Sequence, residues 1–117
     1  MTDLIASLST GKGTWTVVNK LINSEEFENI YLICNQWSKD NFKNEKNANL
    51  IVVDNFAPVP AMTAIIMDSL KGKLKGVEVA LNLASGSGNE HMAILSALLK
   101  LGFAIRLVTF NEKVEEL

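Results

Sequence analysis

A single cysteine, Cys34, leaves the chain unable to form an intrachain disulfide. It lies inside the apolar run Ile30–Cys34, which marks it as a small buried hydrophobe rather than a reactive thiol. One histidine, one distant cysteine and no carboxylate pair at ligand spacing leave nothing from which to build a metal site, and no cofactor is expected. An excess of charge of either sign is also lacking. With 11 Lys and Arg against 13 Asp and Glu, the formal net charge is -2, and no basic block interrupts the chain. That balance provides no field for direct DNA binding. The loose group Lys71, Lys73 and Lys75 reads as a solvated helix end. No apolar run approaches the roughly 18 residues of a membrane span, and Met1–Leu8 has no basic n-region. A cytoplasmic protein without a membrane partner is the expectation.

What remains is globular: 48% of the 117 residues are hydrophobic and 21% charged, enough for one domain over residues 1–117 with a real core. Apolar runs alternate with helical patterns. Strands are expected at Leu4–Leu8, Ile30–Cys34, Leu50–Val53, Val77–Leu83 and Phe103–Phe110. Between them fall helices over Thr14–Ile22, Gln36–Phe42, a segment from Pro60 to about Gly72, and His91–Leu101. Asn111–Leu117 reads as a polar tail. Alternation of this kind implies an α/β three-layer sandwich of Rossmann type, with about five parallel strands and helices on both faces.

Two glycine-rich loops stand out: Ser9-Thr10-Gly11-Lys12-Gly13-Thr14 and Ser85-Gly86-Ser87-Gly88-Asn89. Each follows a strand and opens a helix, where free amides and close-approaching backbone suit an anion. A strand order of 3-2-1-4-5 places both loops at the reversal point of the sheet, where open α/β folds bind ligands. The flavodoxin-like order 2-1-3-4-5 would instead bring in the loop at Pro58, which has no glycine.

The first loop has neither Walker A nor GxGxxG spacing. Lys12 supplies the first loop's only positive charge; Ser9, Thr10 and Thr14 supply hydroxyls, with Thr14 an N-cap candidate. Both loops also make sense simply as tight strand-to-helix turns. Glu90 suits the positive end of a helix. His91 is either a helix residue satisfied by capping and packing or a proton donor to a ligand. The helix His91–Leu101 is apolar almost all round, so it needs a second burial partner. A homodimer through this helix supplies one; cover by neighbouring helices is the alternative.

The stretch Asn82–Leu101, a strand followed by Asn-x-x-Ser-Gly-x-Gly and a helix, resembles the second signature of the CRISPR-associated Rossmann fold (CARF) domains. Ser9–Thr14 falls where their first ligand loop lies. The resemblance implies the order 3-2-1-4-5, a dimer, and a cyclic oligoadenylate held by the loops after strands 1 and 4. By position, Ser9, Thr10, Gly11, Lys12, Gly13, Thr14, Ser85, Gly86, Ser87, Gly88 and Asn89 would contact it. Asn89, Glu90 and His91 stand where the family commonly has Lys or Arg. Some members cleave their ligand without metal; here His91 and Lys12 would be the catalytic candidates. The expected function is therefore a stand-alone, dimeric sensor of a nucleotide-type ligand. The rivals are a metal-independent phosphodiesterase on the same site and a small interaction subunit with no small-molecule ligand.

Overall fold

The computed structural model describes residues 2–9 and 11–117, with residue 12 described through its backbone alone. The elements are β1 (Thr2–Leu8), a short 3-10 turn (Lys12–Thr14), α1 (Trp15–Asn23), β2 (Phe27–Cys34), α2 (Gln36–Asn41) and β3 (Asn49–Val52). There follow α3 (Val59–Leu70), β4 (Glu78–Asn82), α4 (Gly88–Lys100), β5 (Ala104–Asn111) and β6 (Lys113–Glu116). The strands form one sheet in the order β3-β2-β1-β4-β5-β6. The first five are parallel. The α/β sandwich and the order 3-2-1-4-5 are thus as expected.

Alternation along β1 divides the core. Ile5, with Tyr31, Ile33, Ile51, Val79 and Leu81, faces α3 and α4. Ala6 and Leu8, with Leu32 and Cys34, face Trp15, Val18 and Ile22 of α1. Central strands buried on both faces need near-continuous apolar runs, and β1, β2 and β4 have them. At the amino edge, fully buried Asp3 accepts from the backbone and side-chain nitrogens of Asn29 and from the Lys75 amide, each at 3.1 Å. A buried carboxylate satisfied by three donors anchors the start of β1.

The C-terminal segment differs from expectation. It is not a free polar tail: β6 turns back antiparallel on β5 through Glu112, which takes a left-handed φ of 66°. Val114 packs beside Phe110, while Arg106 pairs with Glu116. The charge pattern Lys113, Glu115, Glu116 hid a strand, because an edge strand needs only alternate apolar positions and is protected by its charges.

Helix α4 starts three residues earlier than the apolar pattern suggested. Ser87 and Glu90 form a reciprocal capping box around its first turn. It ends at Lys100; just beyond, the Gly102 amide donates to the Leu99 carbonyl, and the φ of 83° at Gly102 lets the Phe103 amide reach that of Leu98, both at 3.1 Å. Ala93, Ile94, Ala97 and Leu98 enter the core beside α3. Leu98, on the helix expected to form the dimer, is therefore a core residue and not part of an outward face. Met92 and Leu99 are the large apolar residues that α4 leaves exposed, at 55% and 66%. Among the described residues no helix is long and apolar enough to cross a membrane.

Candidate functional site

The last residue of β4, Asn82, pairs with Ala6, so β1 runs two residues further than its neighbour. That overhang carries Ser7 past the end of β4 and into the loop that follows it. The Ser7 hydroxyl donates to the Ser85 carbonyl, and the Ser9 amide donates to Ser85 Oγ at 3.0 Å. The two glycine-rich loops are therefore joined at the carboxyl edge of two adjacent strands.

Glu90 ties the knot from the helix side. Its Oε1 accepts from the Ser87 amide at 3.1 Å and from Ser9 Oγ at 3.2 Å. The residue is 2% exposed, and Oε2 is buried with no hydrogen-bond partner among the described residues. His91, one turn into α4, places Nε2 at 2.7 Å from the Ser85 carbonyl oxygen. A carbonyl only accepts, so Nε2 carries the proton in this contact. Ser85 thus receives two donors on its carbonyl, from different elements. Gly86 explains why the packing can be so close: its φ is 98°, and a Cβ there would lie 3.2 Å from His91 Nε2 and 3.3 Å from Ser7 Cβ and Oγ.

The first loop is braced in its own way. Trp15 Nε1 donates to the Ser9 carbonyl at 2.8 Å, and Thr14 Oγ1 donates to the Gly11 carbonyl at 3.1 Å. Thr14 does occupy the N-cap position of α1, but its backbone is already helical and its side chain caps nothing, because the 3-10 turn winds directly into the helix. Gly11, with φ 107°, has open space where a Cβ would be.

The expected ligand residues divide into two groups. Ser9 and Ser85 are buried braces between the loops. Gly11, Gly13, Thr14, Gly86, Ser87, Gly88 and Asn89 are exposed on the surface of the two loops. The Gly88 and Asn89 amides, in the first turn of α4, have no protein acceptor among the described residues and are free for an anion. Thr10 and the Lys12 side chain lie outside the described residues. His91 is half-buried and engaged with Ser85. No group of three or more His, Cys, Asp or Glu side chains is gathered as metal ligands would be, among the described residues.

Two members of the network were missed from the sequence. Ser7 is the one polar residue in the run Leu4–Leu8, and that interruption was its signal. Glu90 was read only as a charge suited to the helix dipole. The Ser87-x-x-Glu90 spacing of a capping box was visible, but its further bond to Ser9 depends on the tertiary fold.

No family model matches the chain, and no curated protein matches it either.

Proposed function

We infer that the chain is a binding module for a nucleotide-type ligand, of the kind the CARF domains hold as a cyclic oligoadenylate. One observation carries the reading: two glycine-rich loops meet at the carboxyl ends of β1 and β4, the neighbouring strands where the sheet order reverses. The phosphate of such a ligand meets the free first-turn amides of Gly88 and Asn89, and the Gly11–Gly13 backbone approaches it from the opposite lip. Lys12 supplies positive charge, offsetting the negative charge of Glu90. Because Ser7, Ser9, Ser85, Glu90 and His91 are occupied with each other, the lips are held in place before a ligand arrives. Preorganisation of this sort lowers the ordering cost of binding.

Two copies would associate through the uncovered flank of α4, where Met92 and Leu99 lie exposed. A two-fold axis there sets two sites side by side, as a ring-shaped ligand requires. The engagement of His91 with Ser85 favours a sensor over a metal-independent phosphodiesterase, because the proton on Nε2 is already donated. Replacement tests the choice. In a sensor, His91→Ala changes affinity modestly; in a phosphodiesterase it leaves binding and lowers turnover on the order of 10²-fold. Binding itself is tested with a labelled cyclic oligoadenylate. Lys12→Ala is expected to weaken it by about 1.5–3 kcal/mol, the range for a hydrogen bond to a charged group, with folding unchanged. Equal affinity in wild type and Lys12→Ala would remove the phosphate role of the first loop.

A further inference from the structure

One strand over from the glycine loops, on the same carboxyl edge, the ends of β2 and β3 enclose an open cleft of about 580 Å³. That volume falls among small-ligand pockets, commonly about 300–1,000 Å³. Val52 and Val53 contribute apolar surface, and two aromatic rings line the same space. Trp37, on α2, is 43% exposed, and Phe56, in the loop between β3 and α3, is 90% exposed. Phe56 is held out by defined backbone rather than by a loose loop. Asp54 Oδ1 accepts its amide at 3.0 Å, the Ala57 amide closes on the Asp54 carbonyl at 3.0 Å, and Pro58 follows immediately. A turn braced in this way keeps a bare aromatic ring in water, where any polar residue would be cheaper.

Asn35, Gln36, Asp54 and Asn55 are the polar residues of the cleft, and the last two bear most on a ligand. Asp54 Oδ2 meets no protein donor, and the half-buried Asn55 side chain makes no protein hydrogen bond, among the described residues. The carboxylate repels phosphate and accepts from N–H groups. Aromatic and apolar walls with an acceptor edge suit a flat ring bearing N–H or amino groups. We propose that this cleft is a nucleobase-binding slot, separate from the glycine loops, in which Phe56 and Trp37 supply stacking surface and Asp54 and Asn55 read the hydrogen-bonding edge of the ring. Among the described residues, a ring contact links the slot to the loops. Trp15, which holds the Ser9 carbonyl, packs against Trp37 with centroids 5.7 Å apart. The identity of the ring rests on the nucleotide reading above; the chemistry of the slot does not.

Adenosine, which carries no phosphate, is the probe. Titration into the intact chain is expected to change tryptophan emission saturably, because Trp37 lines the slot. Phe56→Ala is expected to weaken adenosine about 5- to 150-fold, the span of base–aromatic stacking at about 1.4 kcal/mol per tenfold. Folding should persist, since the ring is almost wholly exposed. Asp54→Asn keeps an acceptor for the turn and should weaken adenosine while leaving inorganic phosphate binding unchanged. The slot is overturned if adenosine shows no saturable change at millimolar concentration, or if Phe56→Ala binds it as the wild type does. Binding of an apolar dye but not adenosine would likewise overturn it in favour of a protein-docking face. Failure of the glycine-loop reading looks different: adenosine binds with Phe56 dependence, yet adding phosphates to it brings no affinity and no dependence on Lys12.

Discussion

Replacing Gly86 with alanine tests the clamp between the two loops by a calculable cost. A residue other than glycine at φ 98° carries backbone strain of about 1–3 kcal/mol. The new Cβ also lies 3.2 Å from His91 Nε2 and 3.3 Å from Ser7 Oγ. These two atoms are the donors to the Ser85 carbonyl, so making room lengthens one of those bonds. Losing a hydrogen bond of this kind costs about 0.5–1.5 kcal/mol. The sum is about 1.5–4.5 kcal/mol. Gly11→Ala is the matched control, because Gly11 has a φ of 107° but nothing within 4 Å of its would-be Cβ. It should pay the strain alone. Urea unfolding followed by far-UV circular dichroism gives both values, and an unchanged slope shows that the comparison is of stability. The expected result is that Gly86→Ala loses about 0.5–1.5 kcal/mol more than Gly11→Ala. Equal losses would refute the claim that Ser7, Ser85 and His91 are packed against Gly86 as a unit.

Three further outcomes follow from the packing. Leu99→Glu on the exposed flank of α4 should convert a dimer at tens of micromolar to monomer by light scattering, an ordinary range for a specific pair, whereas Leu98→Glu should unfold the chain because that side chain is fully buried. Burial pushes the Cys34 thiol up to about 11, with Lys39 pulling weakly the other way. The unfolded thiol ionises first, so the contribution of Cys34 is intact below about pH 8.5 and is lost as pH rises towards 11. Its slope approaches about 1.4 kcal/mol per pH unit, and Cys34→Ala should abolish that slope in urea melts across the alkaline range. Asp3→Ala strands the Asn29 and Lys75 amides and should cost about 1–3 kcal/mol by the same melts, without altering ligand affinity at the opposite edge of the sheet.

Much of this architecture was legible because its signals are local. Trp15, Val18 and Ile22 repeat at helical spacing, and the central strands are apolar on both faces. The order of the strands was chosen from a different kind of clue, the coincidence of two glycine loops with the reversal point, and the sheet has that order. What the sequence concealed depends on register and neighbours. Nothing in Asn111–Leu117 announces that Val114 would find Phe110, because a single apolar residue carries no periodicity. The outward face of α4 was not legible, since the helix is apolar almost all round and only the position of α3 decides which side is covered. The bond from Ser9 to Glu90 spans 81 residues and exists because β1 outruns β4 by two positions. Ser9 and Ser85 looked like ligand hydroxyls for the same reason; their burial as braces is a consequence of that overhang.

The central claim, that the paired loops bind a nucleotide-type ligand in a dimer, is tested most directly by native mass spectrometry of the protein with added cyclic oligoadenylate. The predicted spectrum holds two chains carrying one ligand mass, and that species disappears in Gly86→Val, whose branched side chain enters the crowded space beside Ser7 and His91. A bare single chain with no adduct at millimolar ligand, roughly the weakest binding worth defending, would contradict it.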